Sequence, residues 1–499
     1  MLAIGIDSGT QSTKSVVLDT GTGGILATAQ RAYGLIPDLP PGHMEQEPEL
    51  WAAAAEETVS ECLARIGDRR HEVEAIGVSG QQHGMVALDR ENRVIRPAKL
   101  WNDTSTLEQC AQFSREFGGP EGLADLAGNA ILPGYTAPKI LWLKQHEPAH
   151  FAALHTLLLP HDYLNFWLTG EKRMEYGDAS GTGLLDVRTR EWCKPLCDFI
   201  DPRLHAVLPD PESSRGVAGL LRETLREKWG LKCRPIVSAG GGDNMMGAIG
   251  TGNIREGVVT ASLGTSGTLY CYSAQPIVDR EGEVAAFCDS TDGWLPLICT
   301  MNVTVATEQA RRLYGWTHAA MDEALAGVPA GAGGLLFLPY LNGERTPNLP
   351  AGCGVLHGLN TRNMTPAHMA RAVTEGVTLG LAFGLKRFRQ LGIQPAEIRL
   401  TGGGSNSPVW RQICADVFGV PTVSLQSSEG AALGAAIQAC WAAEAASGNP
   451  VQLPVLAERL VKLDEQTRCQ PNRDSADLYQ TLLARQTDLT RRLHAAGYL

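Results

Sequence analysis

Leu2-Ala3-Ile4-Gly5-Ile6-Asp7-Ser8-Gly9-Thr10-Gln11-Ser12-Thr13-Lys14-Ser15-Val16-Val17-Leu18 reads as an apolar strand, a turn of small and hydroxylated residues, and a second strand. Backbone N–H groups and hydroxyls in such a turn can surround phosphate oxygens, with Gly9, Thr10 and Lys14 as candidates, while Asp7 at the strand end can hold Mg²⁺ through water. Half a chain later Val259-Thr260-Ala261-Ser262-Leu263-Gly264-Thr265-Ser266-Gly267-Thr268-Leu269-Tyr270 repeats the pattern. One hairpin of this kind is compatible with an ordinary polar turn. Two of them suggest related α/β domains, each with a mixed sheet flanked by helices, and a nucleotide's phosphates between the two turns. Neither turn is a Walker loop, because Thr13 rather than glycine precedes Lys14-Ser15 and no GxxxxGK[ST] occurs.

The length supports this division. At 499 residues the chain exceeds what one core usually serves, so two domains of about 250 residues are expected, placed at 1–252 and 253–499. Composition is that of a soluble globular protein, 43% hydrophobic and 19% charged. A net charge of −11 without a basic run speaks against nucleic acid as a partner. No apolar run approaches a membrane span. Twelve scattered cysteines without a CxxC pair read as reduced thiols in a cytoplasmic protein.

Between the hairpins lies Ala239-Gly240-Gly241-Gly242-Asp243-Asn244, following the short apolar strand Pro235–Ser238 and preceding a helix from Met245. Three glycines clear a strand-to-helix turn, letting a ligand or a second backbone approach Asp243. An aspartate there serves equally well as a plain helix cap. Upstream, the strand Val73–Val78 ends in Ser79-Gly80-Gln81-Gln82-His83-Gly84, polar side chains between glycines, and Leu100-Trp101-Asn102-Asp103 joins a ring, an amide and a carboxylate. That mixture suits a hydroxylated ligand, whose C–H faces pack on a ring and whose hydroxyls need fixed donors and acceptors. Core packing of Trp101 and a solvated turn at His83 are the plain alternatives.

His146-Glu147-Pro148-Ala149-His150 fits the HExxH spelling of zinc proteases. Pro148 excludes that use, since proline inside a helix destroys the alignment that places both imidazoles on one metal. Residues 176–182 read as a polar loop before a strand at 183–186, and 217–229 as a helix. Near the end of the second half, Ile398–Thr401 leads into Gly402-Gly403-Gly404-Ser405-Asn406 and a helix to Phe418, a flat backbone surface for an adenine or ribose.

Taken together, Gly77–Gly84, Leu100–Asp103, Gly134-Tyr135-Thr136-Ala137-Pro138-Lys139, Leu159–Tyr163, Gly240–Asn244, Ser262–Gly267 and Gly343–Pro347 resemble, in this order and over nearly the whole chain, the FGGY carbohydrate kinases. The resemblance implies two actin-like, ribonuclease-H-like ATPase domains with a cleft between them, and phosphate turns lying one in each half suggest that the domains close on ATP and sugar. It implies Asp243 as general base on the sugar hydroxyl, Gln82 and His83 as readers of a pentulose, and Asn244, Trp101 and Asp103 beside the acceptor. Asp7 would lie near Mg²⁺, Gly9, Thr10, Lys14, Gly264 and Thr265 near the phosphates, and Gly403, Gly404 and Asn406 near the adenosine. The implied reaction carries the γ-phosphoryl of ATP to O5 of D-xylulose, and a homodimer is the family-level expectation. Two positions depart from the usual motifs: Gln82 stands where methionine is usual, and Ser105 ends a tryptophan-x-aspartate-x-arginine motif. A kinase for another ketose or polyol, a chaperone-like or cytoskeletal ATPase on the same fold, and an inactive sugar sensor remain as alternatives.

Overall fold

The computed structural model describes residues 1–427 and 429–499. Its chain forms two compact units, and the division is not a single cut. The first unit comprises 1–254, 272–296 and 429–461, and the second 255–271, 297–428 and 462–499. The chain thus leaves the first unit beside the boundary expected at 252, then returns to it twice.

In the first unit the opening hairpin is Leu2–Ser8 paired antiparallel with Ser12–Asp19, which pairs in turn with Gly24–Ala32. On its other side Leu2–Ser8 pairs parallel with Val73–Gly80, followed by Ile236–Ser238 in parallel and Val217–Leu220 antiparallel. Alternation along Leu2–Ser8 assigns the two faces of this sheet. Ile4 and Ile6 join Trp51, Ala55 and Val59 of the helix Pro48–Ile66 in the core. Gly5 faces the other way, where a Cβ would meet the Ala432 carbonyl at 1.8 Å, so the helix Gly430–Ala446 lies directly on the strand.

The second unit repeats this plan. Val258–Leu263 pairs antiparallel with Gly267–Cys271, and Gly267–Cys271 pairs antiparallel with Trp294–Thr300. The other edge of Val258–Leu263 carries Glu397–Thr401 and then Thr422–Leu425 in parallel, and Leu463–Cys469 antiparallel. Over these six strands the order and direction match those of the first unit, as the duplicated hairpin led one to expect.

Two local expectations need correction. The stretch 217–229 is not one helix: Val217–Leu220 is a strand and only Glu223–Trp229 is helical. Pairing with Ile236–Ser238 overrides the helical appearance, as tertiary context commonly does for short segments. Residues 176–182 are not all loop, because Tyr176–Ser180 forms a short helix capped by the Glu175 carboxylate. The HExxH spelling is split as expected: one helix ends at His146 and the next starts at Pro148. Among the described residues no helix is long and apolar enough to cross a membrane, and all twelve cysteines are free thiols.

Candidate active site

Asp243 is the first residue of the helix Asp243–Gly250, with Gly242 rather than Asp243 in the cap position. Its Oδ1 accepts the Asn244 backbone N–H at 2.8 Å and the Asn244 side-chain amide at 3.0 Å. Burial, and after it the charges of Asp7 and Asp178, push this carboxyl up to about 7. A carboxylate held near neutrality is a proton acceptor matched to working pH. Asp7, on the end of the first strand, is raised by burial as well, although Ser79 Oγ donates to it at 2.7 Å and Lys14 opposes the shift.

Gly242 is glycine because of its neighbours: a Cβ there would lie 2.6 Å from Gln82 Cγ and 3.1 Å from Asp178 Oδ1. Asn244 Nδ2 donates to Gln82 Oε1 at 2.8 Å, so the amide of Gln82 is oriented with its nitrogen turned away from Asn244. Gln82 Nε2 and Asp178 Oδ1 are both buried and lack a hydrogen-bond partner among the described residues. Such orphaned donor and acceptor atoms are costly unless a ligand or water meets them. Asp178 was not singled out from sequence; its only signal there was a polar run bracketed by glycines. Its other oxygen meets His161 Nδ1 at 2.7 Å. His161 lies well above its ordinary range, the effect of burial being outweighed by Asp162 and Asp178.

His83 adopts φ = 64°, a left-handed conformation that costs a non-glycine residue about 1 kcal/mol or more and is found where function demands it. The Gly134–Lys139 motif holds it there. Lys139 Nζ donates to the His83 carbonyl at 2.6 Å, Thr136 Oγ1 donates to the same oxygen at 3.1 Å, and Tyr135 stacks on the imidazole at 4.7 Å. His83 Nδ1 lies 2.6 Å from the Gly181 carbonyl and donates to it.

The turn of the first hairpin is tied to these residues. Trp101 Nε1 donates to Thr10 Oγ1 at 2.9 Å, and Thr10 Oγ1 donates to Gln81 Oε1 at 3.0 Å. Gly9 N–H closes the turn on the Ser12 carbonyl at 3.0 Å. Lys14 Nζ pairs with Glu429 Oε2 at 2.6 Å. Glu429 lies more than four hundred positions from its partner, and nothing in the local sequence marks it.

Asp103, expected beside the acceptor, is already engaged within the protein. Its Oδ1 accepts from Ser105 N and Ser105 Oγ, and its Oδ2 from Met44 N and Lys99 Nζ, all within 2.6–3.0 Å. Burial pushes the group up, but these donors win and hold it below the usual carboxylate range. Lys99, completely buried, also meets Glu45 Oε1 at 3.0 Å and His43 Nδ1 at 3.2 Å. His43, Glu45 and Asp103 have the chemistry of a metal trio, yet the ammonium of Lys99 already fills the cation position between them. Ser105, in the place of the motif's arginine, belongs to this cluster through Lys99 Nζ at 2.8 Å.

In the second unit, Gly264 and Thr265 form the turn between Val258–Leu263 and Gly267–Cys271, and their carbonyls accept from Thr304 N at 2.8 Å and Val303 N at 3.1 Å. Gly402, at φ = +81°, packs so closely that a Cβ would lie 2.7 Å from the Leu263 carbonyl group. The glycine-rich turn is thereby set against the Gly264–Thr265 turn of the same unit. Gly403, Gly404 and Asn406 line a cavity of about 470 Å³ together with Thr304, Asp322 and Trp410. Its remaining walls come from the helices at 304–313 and 318–326, which the sequence reading did not connect to this turn.

Two buried carboxylates and a wall of orphaned polar atoms in one unit, with a small-residue turn and a cavity of about 470 Å³ in the other, are the parts expected of a sugar kinase. The comparisons agree. The model of the FGGY family of carbohydrate kinases, N-terminal domain, matches residues 2–250, and that of the C-terminal domain residues 259–443. The chain is 41% identical over 488 residues to a xylulose kinase of Haemophilus influenzae, covering 97% of this chain and 98% of that one. Among solved structures, a "xyloylose kinase" from Brucella ovis superposes with a TM-score of 0.92 at 30% identity, covering 99% and 100% of the two chains. A gluconate kinase from Lactobacillus acidophilus superposes with a TM-score of 0.91 at 26% identity, covering 100% and 99%. With both family domains matched in order and the fold shared from end to end, the chain belongs to the FGGY family of carbohydrate kinases.

Proposed function

We propose that the chain transfers the γ-phosphoryl group of ATP to O5 of D-xylulose, with Asp243 as the base. The observation that carries the reading is the Asp243 carboxylate, held at about 7 and joined through Asn244 to Gln82, whose Nε2 is orphaned. Asp243 orients the attacking hydroxyl and takes its proton as the new bond forms. Phosphoryl transfer runs through a loose transition state, so the protein's remaining work is alignment and charge stabilisation. Lys14, the turn at Gly9 and Thr10, and the turn at Gly264 and Thr265 supply donors for the phosphates, and the cavity at Gly403, Gly404 and Asn406 suits the adenosine. The residues present fit Mg²⁺: Asp7 and Asp243 are buried acids whose repulsion a dication relieves. Bound through Asp7, the ion would supply positive charge against the phosphate oxygens. Free thiols throughout suit the cytoplasm.

On the acceptor side, His83 Nε2, Gln82 Nε2, Asn244 and the Trp101 ring suit a neutral polyhydroxylated molecule. A carboxylated acceptor such as gluconate is the second reading, prompted by the Lactobacillus relative. Against it, the buried lysines of this wall are committed within the protein, Lys99 to three acidic or imidazole groups and Lys139 to two carbonyls. A coupled ADP-release assay over D-xylulose, D-ribulose, L-ribulose, xylitol, glycerol and gluconate tests both. The proposal expects turnover to depend on D-xylulose and to vanish in Asp243→Ala with nucleotide binding retained. Preference for another acceptor, or near-normal turnover in Asp243→Ala, contradicts it.

A further inference from the structure

Asp243 follows three consecutive glycines, the backbone with the greatest freedom to move, yet a catalytic base must be held to a fraction of an ångström. The glycines cannot supply that rigidity themselves. Gly240 stands at φ = +74°, and the neighbouring Ala239 carbonyl is held by Asn165 Nδ2 at 2.7 Å. Gly241 and Gly242 pair with Ser79 and Gly80 of the strand Val73–Gly80, and Gly240, which that pairing leaves out, is held by a single side chain 195 positions beyond Asp243, counted to Gln438.

Gln438 is 1% exposed and both ends of its amide are occupied. Its Oε1 accepts from the Gly240 backbone N–H at 2.9 Å and from Ser238 Oγ at 2.8 Å. Its Nε2 donates to the Gly240 carbonyl at 3.0 Å, with the Ser214 and Ser290 carbonyls at 3.2 and 3.4 Å. One amide thus grips the N–H and the C=O of the same glycine, fixing the peptide planes on either side of it. The helix that carries Gln438, Gly430–Ala446, also packs on the helix that Asp243 opens: a Cβ on Gly434 would meet the Met246 carbonyl at 1.8 Å. The loop and the helix it feeds are therefore braced from one element.

We infer that Gln438 is a positioning residue for phosphoryl transfer, a brace that aims Asp243 at the acceptor hydroxyl. The inference rests on the reading of Asp243 as the base. It predicts that loss of the amide harms the chemical step more than the binding of either substrate, since neither the sugar wall at Gln82 and His83 nor the nucleotide cavity touches Gln438.

The test compares the full-length parent with Gln438→Leu, Gln438→Asn, Gln438→Glu and Asp243→Asn, measuring kcat, both KM values with D-xylulose and MgATP, and thermal melting. A misplacement of about 1 Å costs on the order of 10²-fold in rate, so Gln438→Leu is expected to lose about that factor in kcat with KM values within about threefold. Gln438→Glu, protonated when buried, keeps one donor and one acceptor and is expected to recover about tenfold of the loss. A purely structural role would lower the melting temperature while leaving kcat per folded enzyme unchanged. A kcat in Gln438→Leu within about threefold of the parent, or a Gln438→Glu variant no better than Gln438→Leu, overturns the inference. Should Gln438→Leu not fold, Gln438→Asn decides in the same terms, its shorter side chain keeping the amide but missing Gly240. Near-parental turnover in Asp243→Asn overturns the base reading itself. An inactive Asp243→Asn beside unaffected Gln438 variants overturns only the brace.

Discussion

Trp101 donates its indole N–H to the hydroxyl of Thr10 at 2.9 Å, joining the wall expected to meet the sugar to the turn expected to meet the phosphates. Thr10 passes the connection on to Gln81, immediately before Gln82 and His83. Acceptor and donor residues of the first unit are therefore one hydrogen-bonded piece. Trp101→Phe keeps the ring but removes the bond, whose net worth is about 1 kcal/mol. The expected result is a roughly fivefold fall in kcat/KM for sugar and for ATP alike. Steady-state kinetics with each substrate varied in turn checks it, and a change confined to the sugar would show that the indole N–H does not couple the two.

Lys14 and Glu429 meet at 2.6 Å, with both side chains largely shielded from solvent. If Lys14 serves the phosphates, it must leave Glu429 or share its charge with it. Glu429→Gln frees the ammonium and removes a negative charge from the path of an anionic substrate. Kd for the nucleotide should fall by about two- to fivefold, the scale of a partly shielded ion pair. Lys14→Met should move it the other way. Titration calorimetry with a nonhydrolysable ATP analogue measures both, and weaker binding to Glu429→Gln would assign Glu429 a direct part in holding the nucleotide.

Much of this was legible before any coordinates. The two hairpins announce themselves because a strand, a small-residue turn and a strand are local patterns, and their repetition at 2–18 and 259–272 fixed the duplicated sheet. Asp243, Gln82 and Asn244 were found for the same reason, each lying in a glycine-rich turn at a strand end, and the structure brings them together. Glu429, Asp178 and Gln438 escaped because their meaning comes from partners far along the chain. Asp103 shows the converse: its motif suggests a ligand, and the fold adds that Lys99, four residues earlier, already pairs with the carboxylate. Spacing can suggest that two groups are close, whereas only the packed fold shows which lone pairs are already taken.

The charge on Asp178 bears on the pH dependence of the reaction. It adds to burial and to Asp7 in raising Asp243, so its removal should ease ionisation of the base. For Asp178→Asn the acid limb of kcat/KM should move to lower pH by about half a unit to one unit. Sugar KM should rise at the same time, because the orphaned Oδ1 no longer offers a charged acceptor. A pH–rate profile of the two proteins decides. An unmoved limb would mean that His161, caught between Asp162 and Asp178, already cancels the Asp178 charge as Asp243 experiences it.

The raised carboxyl also predicts where function costs stability. Asp243 titrates near 7 in the folded chain and near its ordinary value, about 4, in the unfolded one. Between those values the unfolded chain releases its proton first, so the folded state binds more protons and its stability falls as pH rises. Below about 4 there is no penalty, and above about 7 it is complete. Asp243→Asn removes the titration while its amide oxygen still accepts from Asn244, so no hydrogen bond is sacrificed in the exchange. The ligand-free variant should therefore melt about 2–4 °C above the parent at pH 8, with the gap shrinking toward pH 5. Calorimetric scans at both pH values measure it. A gap that does not depend on pH, or a variant that melts lower at pH 8, would mean that Asp243 ionises in the folded chain as readily as in water, and the case for a base poised near neutrality would lose its electrostatic ground.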